Sequence, residues 1–216
     1  MGRFDVILLR VIGKFITLEG GEGVGKSTQV QKLAEILRAR GKTVVTTREP
    51  GGTQGAEDIR GLLMSGSEDR WNAQTEALLF AAARADHVAK LIRPALERGD
   101  WVLCDRFIDS TRAYQGGAGG LGDADIMALH GVGSGGLLPD RTLLLEIPVE
   151  EGARRAETRA GEKDRMGAKD AAYYVRVSSK FRDLAAREPD RFRLIDASGA
   201  VADVTSRLLA ALDGLL

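Results

Sequence analysis

Gly20-Gly21-Glu22-Gly23-Val24-Gly25-Lys26-Ser27 is the stretch on which the fold of this chain turns. It satisfies the pattern of a phosphate-binding P-loop, and its flanks are the required ones: the apolar run Phe15 to Leu18 before it, and a helical period of Val30, Leu33, Ala34 and Leu37 after it. Glycines let the backbone curl until several N–H groups converge on one phosphate, and the helix N-terminus adds partial positive charge. Lys26 brings a mobile full charge to the β- and γ-phosphates, and Ser27 offers its hydroxyl to Mg²⁺. With Thr28, the residues Gly20 to Ser27 form the candidate nucleotide-binding set.

Outward from the cradle, the runs Phe15 to Leu18, Thr43 to Thr47, Trp101 to Cys104, Thr142 to Ile147 and Phe192 to Ile195 read as buried strands. Helical patterns separate them: Ser27 to Arg40, stopped by Gly41, then Trp71 to Glu97 and Val201 to Leu216, with Pro94 expected to bend or tighten the end of the second. Such alternation predicts an α/β, P-loop NTPase-type three-layer fold, a five-stranded parallel sheet covered by helices on both faces. Ligands of these sheets bind at the carboxyl ends of the strands. Asp105, ending the run Val102 to Cys104, is therefore a candidate partner of Ser27 on Mg²⁺, or a cap of the next helix. The glycine-rich stretches Gly116 to Gly122 and Gly131 to Gly136 are expected to be mobile loops.

Composition narrows the classes. A chain of 216 residues with 44% hydrophobic content suits one well-buried core and is short for two. Lys plus Arg and Asp plus Glu both number 31, which argues against DNA as a bulk partner. Cys104 is the single cysteine, so no internal disulfide can form, and a reducing, cytoplasmic setting is expected. No stretch approaches 18 apolar residues, so no membrane span is expected. His87 and His130 form no metal set, and His87 reads as a helix-face residue.

Up to this point the residues indicate a P-loop nucleotide binder, a class that includes GTPases, assembly ATPases and small-molecule kinases. Further segments resemble thymidylate kinases in order and approximate spacing over about Lys14 to the C-terminus. They are Arg48-Glu49-Pro50-Gly51-Gly52-Thr53, the pair Phe80 and Arg84 in Leu-Leu-Phe-Ala-Ala-Ala-Arg-Ala-Asp-His, the segment Asp105-Arg106-Phe107-Ile108-Asp109-Ser110-Thr111-Arg112-Ala113-Tyr114-Gln115, and a basic flap ending Asp164-Arg165. The resemblance implies transfer of the γ-phosphoryl of ATP to dTMP. The alternatives are another nucleoside monophosphate kinase, or a P-loop switch or assembly ATPase.

The resemblance also assigns roles. Phe80 and Arg84, four apart on one helix face, would grip the thymine by stacking and by a guanidinium on a base carbonyl. Arg48 and Arg106 would bind the acceptor phosphate. Thr111 and Gln115 would bond the pyrimidine edge, and Tyr114 would crowd the sugar 2′ position. Glu22, a carboxylate inside a phosphate cradle, would hold an arginine of the acceptor site or the acceptor sugar. The cradle itself lacks an arginine while the flap, about residues 154–169, is rich in basic side chains. That pairing resembles the bacterial subtype in which LID arginines close over ATP, with Arg155 and Arg159 the leading candidates and Arg165 behind them.

A homodimer through helix faces is implied, and a cis Glu49-Pro50 bond is expected. Residues 14–216 read as one kinase domain and residues 1–13 as an N-terminal extension. Glu146 and Gly167 stand where the family more often carries Asp and an acidic residue.

Overall fold

Every apolar run named above becomes a strand: β1 (Phe15–Glu19), β2 (Val44–Arg48), β3 (Trp101–Asp105), β4 (Arg141–Glu146) and β5 (Phe192–Asp196). Between and after them run α1 (Lys26–Ala39), α2 (Gln54–Met64), α3 (Ala73–His87), α4 (Arg93–Glu97), α5 (Ile108–Thr111), α6 (Asp123–Ser134), α7 (Ala171–Arg187) and α8 (Val201–Ala210). The computed structural model describes residues 13–148, 151–152, 154–155, 165 and 170–216. Among these the strands pair in parallel in the order β2-β3-β1-β4-β5.

Period-two alternation sorts the strand side chains onto two faces. Ile16, Leu18, Leu103, Leu143, Leu145 and Ile195 pack with Val30, Leu33 and Leu37 of α1 and with Val204 and Leu208 of α8. On the other face Phe15, Val102 and Cys104 pack with Ala77 of α3, Ile126 of α6 and the Phe107–Ile108 turn. Leu144 and Phe192 meet Val177, Phe181 and Leu184 of α7. Both faces are covered, as the near-continuous apolar strands require.

Four strands run one residue past their apolar runs, through Glu19, Arg48, Asp105 and Asp196. The ladder continues there because Leu18 and Arg48 both pair with Asp105, and Glu19 with Leu144. Hydrophobicity alone hides such ends. They are the carboxyl ends, where the chemistry gathers.

Helix α1 stops as expected: Gly41 takes φ +79°, its N–H reaches the Arg38 carbonyl at 2.9 Å, and the Lys42 N–H reaches that of Leu37 at 3.1 Å, a Schellman closure. The stretch Trp71 to Glu97 is helical from Ala73 to Glu97, with α3 passing into α4 through a π turn. Proline at 94 offers no N–H to the carbonyl four residues back, and the chain widens into a π turn over Val88–Ile92, where the Arg93 N–H bonds the Val88 carbonyl. The turn is thus loosened rather than tightened. Past Ala210 the C-terminal pattern gives way to turns.

Of the two glycine-rich stretches expected as loops, Gly119 to Gly122 is a turn and loop, while residues 116–118 and 131–134 are helical. Arg112–Ala118 is a π-helical extension of α5, and Gly131 and Gly133 lie within α6. A Cβ on Gly133 would stand 3.4 Å from the Ala81 carbonyl oxygen and 3.4 Å from Ala85 Cβ, so glycine lets α6 lie close on α3. Among the described residues no helix is long and apolar enough to cross a membrane.

Candidate functional site

The cradle joins β1 to α1, and its conformation depends on glycine. Gly20, Gly23 and Gly25 hold φ of +133°, +73° and +91°, and a Cβ on Gly20 would stand 2.3 Å from the Leu145 carbonyl oxygen. Val24 is 6% exposed and packs into the core beneath, so it presents backbone rather than side chain to the loop's open side. Lys26 is buried, and its Nζ donates to the carbonyls of Gly20 at 3.2 Å and Gly21 at 2.6 Å. Burial, and then the nearby Arg106 cation, lower its pKa to about 8 against the opposing pull of Glu22, Asp105 and Glu19. Ser27 and Thr28 are exposed on the first turn of α1.

Ser27 Oγ donates to Asp105 Oδ2 at 2.5 Å. A hydroxyl and a carboxylate side by side at the mouth of a phosphate loop suit Mg²⁺, which takes one or two protein oxygens and completes its octahedron with phosphates and water. Among the described residues no cluster of three or more His, Cys, Asp or Glu side chains forms a cage for a metal.

Arg106 links the cradle to the segment after β3. Its Nη2 meets Glu22 Oε1 at 2.5 Å, and its Nη1 donates to the Gly20 carbonyl at 3.0 Å and to Ser110 Oγ at 3.1 Å. The guanidinium also stands 5.1 Å from the centroid of the Tyr114 ring. To reach these partners Arg106 adopts φ +68°, the one positive φ of a non-glycine residue among those described, at a steric cost of roughly 1–2 kcal/mol. Hydrogen bonds hold the turn: the Arg106 N–H to the Leu18 carbonyl at 3.0 Å, the Cys104 thiol to the Arg106 carbonyl at 3.0 Å, and the Phe107 N–H to Glu19 Oε1 at 2.8 Å.

Glu19 was not singled out by the sequence, because it falls one residue beyond its apolar run. It is fully buried, and it also accepts from the Ser110 N–H at 3.2 Å and from Ser110 Oγ at 2.6 Å. Burial, followed by the neighbouring Asp109, raises its pKa to about 8, while Ser110, Arg106 and Phe107 pull the other way. Asp109 is itself fully buried, bonded to both terminal nitrogens of Arg191 at 2.6 and 2.9 Å and to Thr142 Oγ1 at 3.1 Å.

A second polar constellation is assembled from α3, the loop after β2 and the segment after β3. Arg84 is 2% exposed; its Nε donates to Glu49 Oε2 at 2.8 Å and its Nη2 to Thr111 Oγ1 at 2.8 Å. Glu49 Oε1 lies 3.0 Å from His87 Nδ1, and His87 Nε2 lies 2.7 Å from Thr47 Oγ1. His87 thus sits inside a polar network rather than on an open helix face. The Glu49-Pro50 peptide is cis, as expected. Phe80, one turn before Arg84, is half-buried and lies outside the three apolar clusters. Gln115 Nε2 donates to Glu76 Oε2 at 3.2 Å. Tyr114 packs on Tyr173 and Phe181, and its buried hydroxyl has no hydrogen-bond partner among the described residues. Arg48, 55% exposed, bonds both Glu57 oxygens at 3.1 Å, and Glu57 also accepts the Gly52 N–H at 3.0 Å.

The flap candidates part company. Arg155 pairs with Glu151 one turn earlier. Arg165 does not stand in reserve over the cradle: its side chain is wholly buried against α2 and α3, donating to the carbonyls of Leu63 at 3.0 Å and Glu68 at 3.1 Å and pairing with Glu76 at 2.6 Å. Arg159 and Gly167 lie outside the described residues. Glu146 accepts from Arg182 at 2.7 Å. Glu19, Glu49 and Glu76, the buried carboxylates that position the arginines and Gln115, escaped sequence reading. A carboxylate beside an apolar run carries no periodic signal of its burial.

Known proteins show the same arrangement of sequence. The thymidylate kinase family model matches residues 18–208. A thymidylate kinase of Rhizorhabdus wittichii is 62% identical over 205 residues, covering 94% of this chain and 99% of the relative. One from Caulobacter vibrioides is 50% identical, covering 91% and 94%. The crystal structure of thymidylate kinase from Ehrlichia chaffeensis superposes with a TM-score of 0.75 at 33% identity, covering 93% of this chain and 99% of that one.

Proposed function

The chain belongs to the thymidylate kinase family and phosphorylates dTMP to dTDP, and on that premise we propose how its residues divide the transfer of the γ-phosphoryl from ATP. The backbone N–H groups of Gly21 to Thr28 receive the donor phosphates, and Lys26 exchanges the carbonyls of Gly20 and Gly21 for β- and γ-phosphate oxygens. Ser27 and Asp105 are the residues that would hold Mg²⁺, which when bound neutralises charge on the β- and γ-oxygens. Support for this pairing comes from their 2.5 Å contact.

Arg106 grips the acceptor phosphate, held in line by Glu22, and Arg48 joins it on release from Glu57. Thymine stacks on Phe80 while Arg84, Thr111 and Gln115 face its polar edge; Tyr114 lies against the deoxyribose. Phosphoryl transfer needs alignment and positive charge more than covalent help, and these side chains supply both. The flap, about residues 154–169, adds Arg155 and Arg159 over the donor phosphate, as in the bacterial subtype with basic LID residues. Residues 14–216 act as one kinase domain, with residues 1–13 as an extension, and two copies associate through helix faces.

One observation carries this reading: a single guanidinium, that of Arg106, touches the cradle carbonyl of Gly20, the cradle carboxylate of Glu22 and the ring of Tyr114. Donor and acceptor sites therefore share a wall. ADP release measured over dTMP, dCMP, dGMP and AMP, with Mg²⁺ present and chelated, tests it. Turnover is expected with dTMP and Mg²⁺ alone; equal rates with all four acceptors, or full activity under chelation, would refute it. Light scattering of the free protein separates monomer from dimer.

A further inference from the structure

We propose that Glu19 is a positioning residue for the acceptor phosphate, holding Arg106 in its left-handed turn through Ser110 and the Phe107 peptide. The inference rests on the reading of Arg106 as the acceptor-phosphate ligand and adds the group that holds it.

The geometry has two arms. One acts on the backbone: Glu19 Oε1 takes the Phe107 N–H at 2.8 Å and the Ser110 N–H at 3.2 Å, so the first turn of α5 is capped by a side chain of β1 rather than by the cap position itself. Because the peptide after Arg106 is then bonded at both ends, at its carbonyl by Cys104 and at its N–H by Glu19, the ψ of Arg106 cannot relax. The other arm acts on the side chain. Ser110 Oγ lies 2.6 Å from Glu19 Oε2 and accepts from Arg106 Nη1 at 3.1 Å, a chain of two bonds running from guanidinium to buried carboxyl.

A left-handed arginine is strained and persists only where its surroundings over-determine it. Here the strain serves alignment, since Arg106 in ordinary β or α backbone would aim its guanidinium away from Glu22 and the Gly20 carbonyl. Glu19 is fully buried, and its hydrogen bonds to Phe107 and Ser110 tie it to the turn that carries Arg106, the route by which it bears on the acceptor phosphate.

The test uses Ser110→Ala, which cuts the side-chain arm and leaves Glu19 in place, and Glu19→Asp, which keeps the acid but withdraws it by one methylene. Each is examined alone and combined with Arg106→Lys, with steady-state kinetics for both substrates and a thermal melt. Each single variant is expected to lower kcat/KM for dTMP about tenfold, the size of a lost charge-assisted contact, while KM for ATP stays within about twofold. In the Arg106→Lys background the further loss from Ser110→Ala shrinks to less than about twofold, because the group being positioned is already gone. Unchanged dTMP kinetics in folded Ser110→Ala and Glu19→Asp would overturn the inference. So would equal losses for ATP and dTMP, or losses that multiply fully with Arg106→Lys, since each marks a general structural effect. If Glu19→Asp fails to fold, Glu19→Gln, which keeps the side-chain length and an acceptor oxygen, takes its place under the same criteria. Wild-type dTMP kinetics in Arg106→Lys would instead overturn the premise about Arg106, an outcome separable from failure of the positioning role.

Discussion

The phosphate cradle and the proposed acceptor pocket meet at Arg106, and they are built in opposite ways. The cradle is a run of consecutive residues whose shape comes from glycine φ values and whose phosphate-facing groups are main-chain N–H groups. Its one buried cation, Lys26, is bonded only to carbonyl oxygens within hydrogen-bond reach, so it is held at some expense of stability. The pocket is made from side chains of β2, α3 and the segment after β3, and its charges are internally compensated: Arg84 by Glu49, with His87 and Thr111 satisfying the remaining bonds. Function and stability are therefore opposed at the cradle and aligned in the pocket.

Replacing Lys26 probes the first half of that contrast and carries the largest expected effect. Lys26→Met should lower kcat by about a thousandfold, by removing charge that develops its full value in the transition state. The same variant should melt higher, since a buried amine drawn down from 10.5 to about 8 opposes folding by up to about 3 kcal/mol below that pH. Calorimetry showing a lower melting temperature would break the contrast at the cradle.

Arg84→Met tests the second half. It leaves Glu49, 6% exposed, without its guanidinium, and a loss of about 3 kcal/mol is expected together with weaker dTMP use. Denaturant unfolding equal to the wild type would show that the pocket's charges are not mutually supporting. Phe80→Ala separates binding from folding on the same helix. It should raise the KM for dTMP about tenfold through lost stacking, worth ~1–3 kcal/mol, with a melting temperature near wild type because the ring is half-buried. Unaltered dTMP kinetics would remove the stacking role.

The last effect is read as a pH slope and concerns Glu19, at the junction of the two regions. Its carboxyl titrates near 8 in the folded chain against an ordinary 4.5, so between those values the folded chain keeps a proton that the unfolded chain has released. The stability it contributes is whole below about 4.5 and is lost as pH rises toward about 8, with a limiting slope of about 1.4 kcal/mol per pH unit. Denaturation midpoints across that window should decline in the wild type and flatten in Glu19→Gln. A variant with the wild-type slope would assign the titration to another group.

The two regions also differ in how far they could be read in advance. Strand positions, sheet class and the cradle follow from apolar runs, helical periods and one contiguous motif, because each depends on neighbours within a few residues. The helix stop at Gly41 and the cis Glu49-Pro50 bond are equally local. The misread parts were long-range: glycines at 131 and 133 signalled a loop by composition, yet both lie within α6, and Gly133 faces Ala81 and Ala85 of α3. Arg165, basic and placed within the flap, is drawn into a buried pair with Glu76, 89 positions earlier in the numbering, and loses the role its neighbourhood suggested.

By itself the sequence determined a parallel α/β sheet, a phosphate cradle at Gly20 to Ser27 and membership in a family of dTMP-phosphorylating enzymes. Those are properties of local backbone preference and of contiguous motifs. Only the tertiary structure decided which carboxylate serves which cation, because Glu19 with Ser110, Glu49 with Arg84, and Glu76 with Arg165 and Gln115 are joined across tens of residues of chain. A charged side chain is costly to bury without a partner, and the partner's identity is set by the register of strands and the packing of helices.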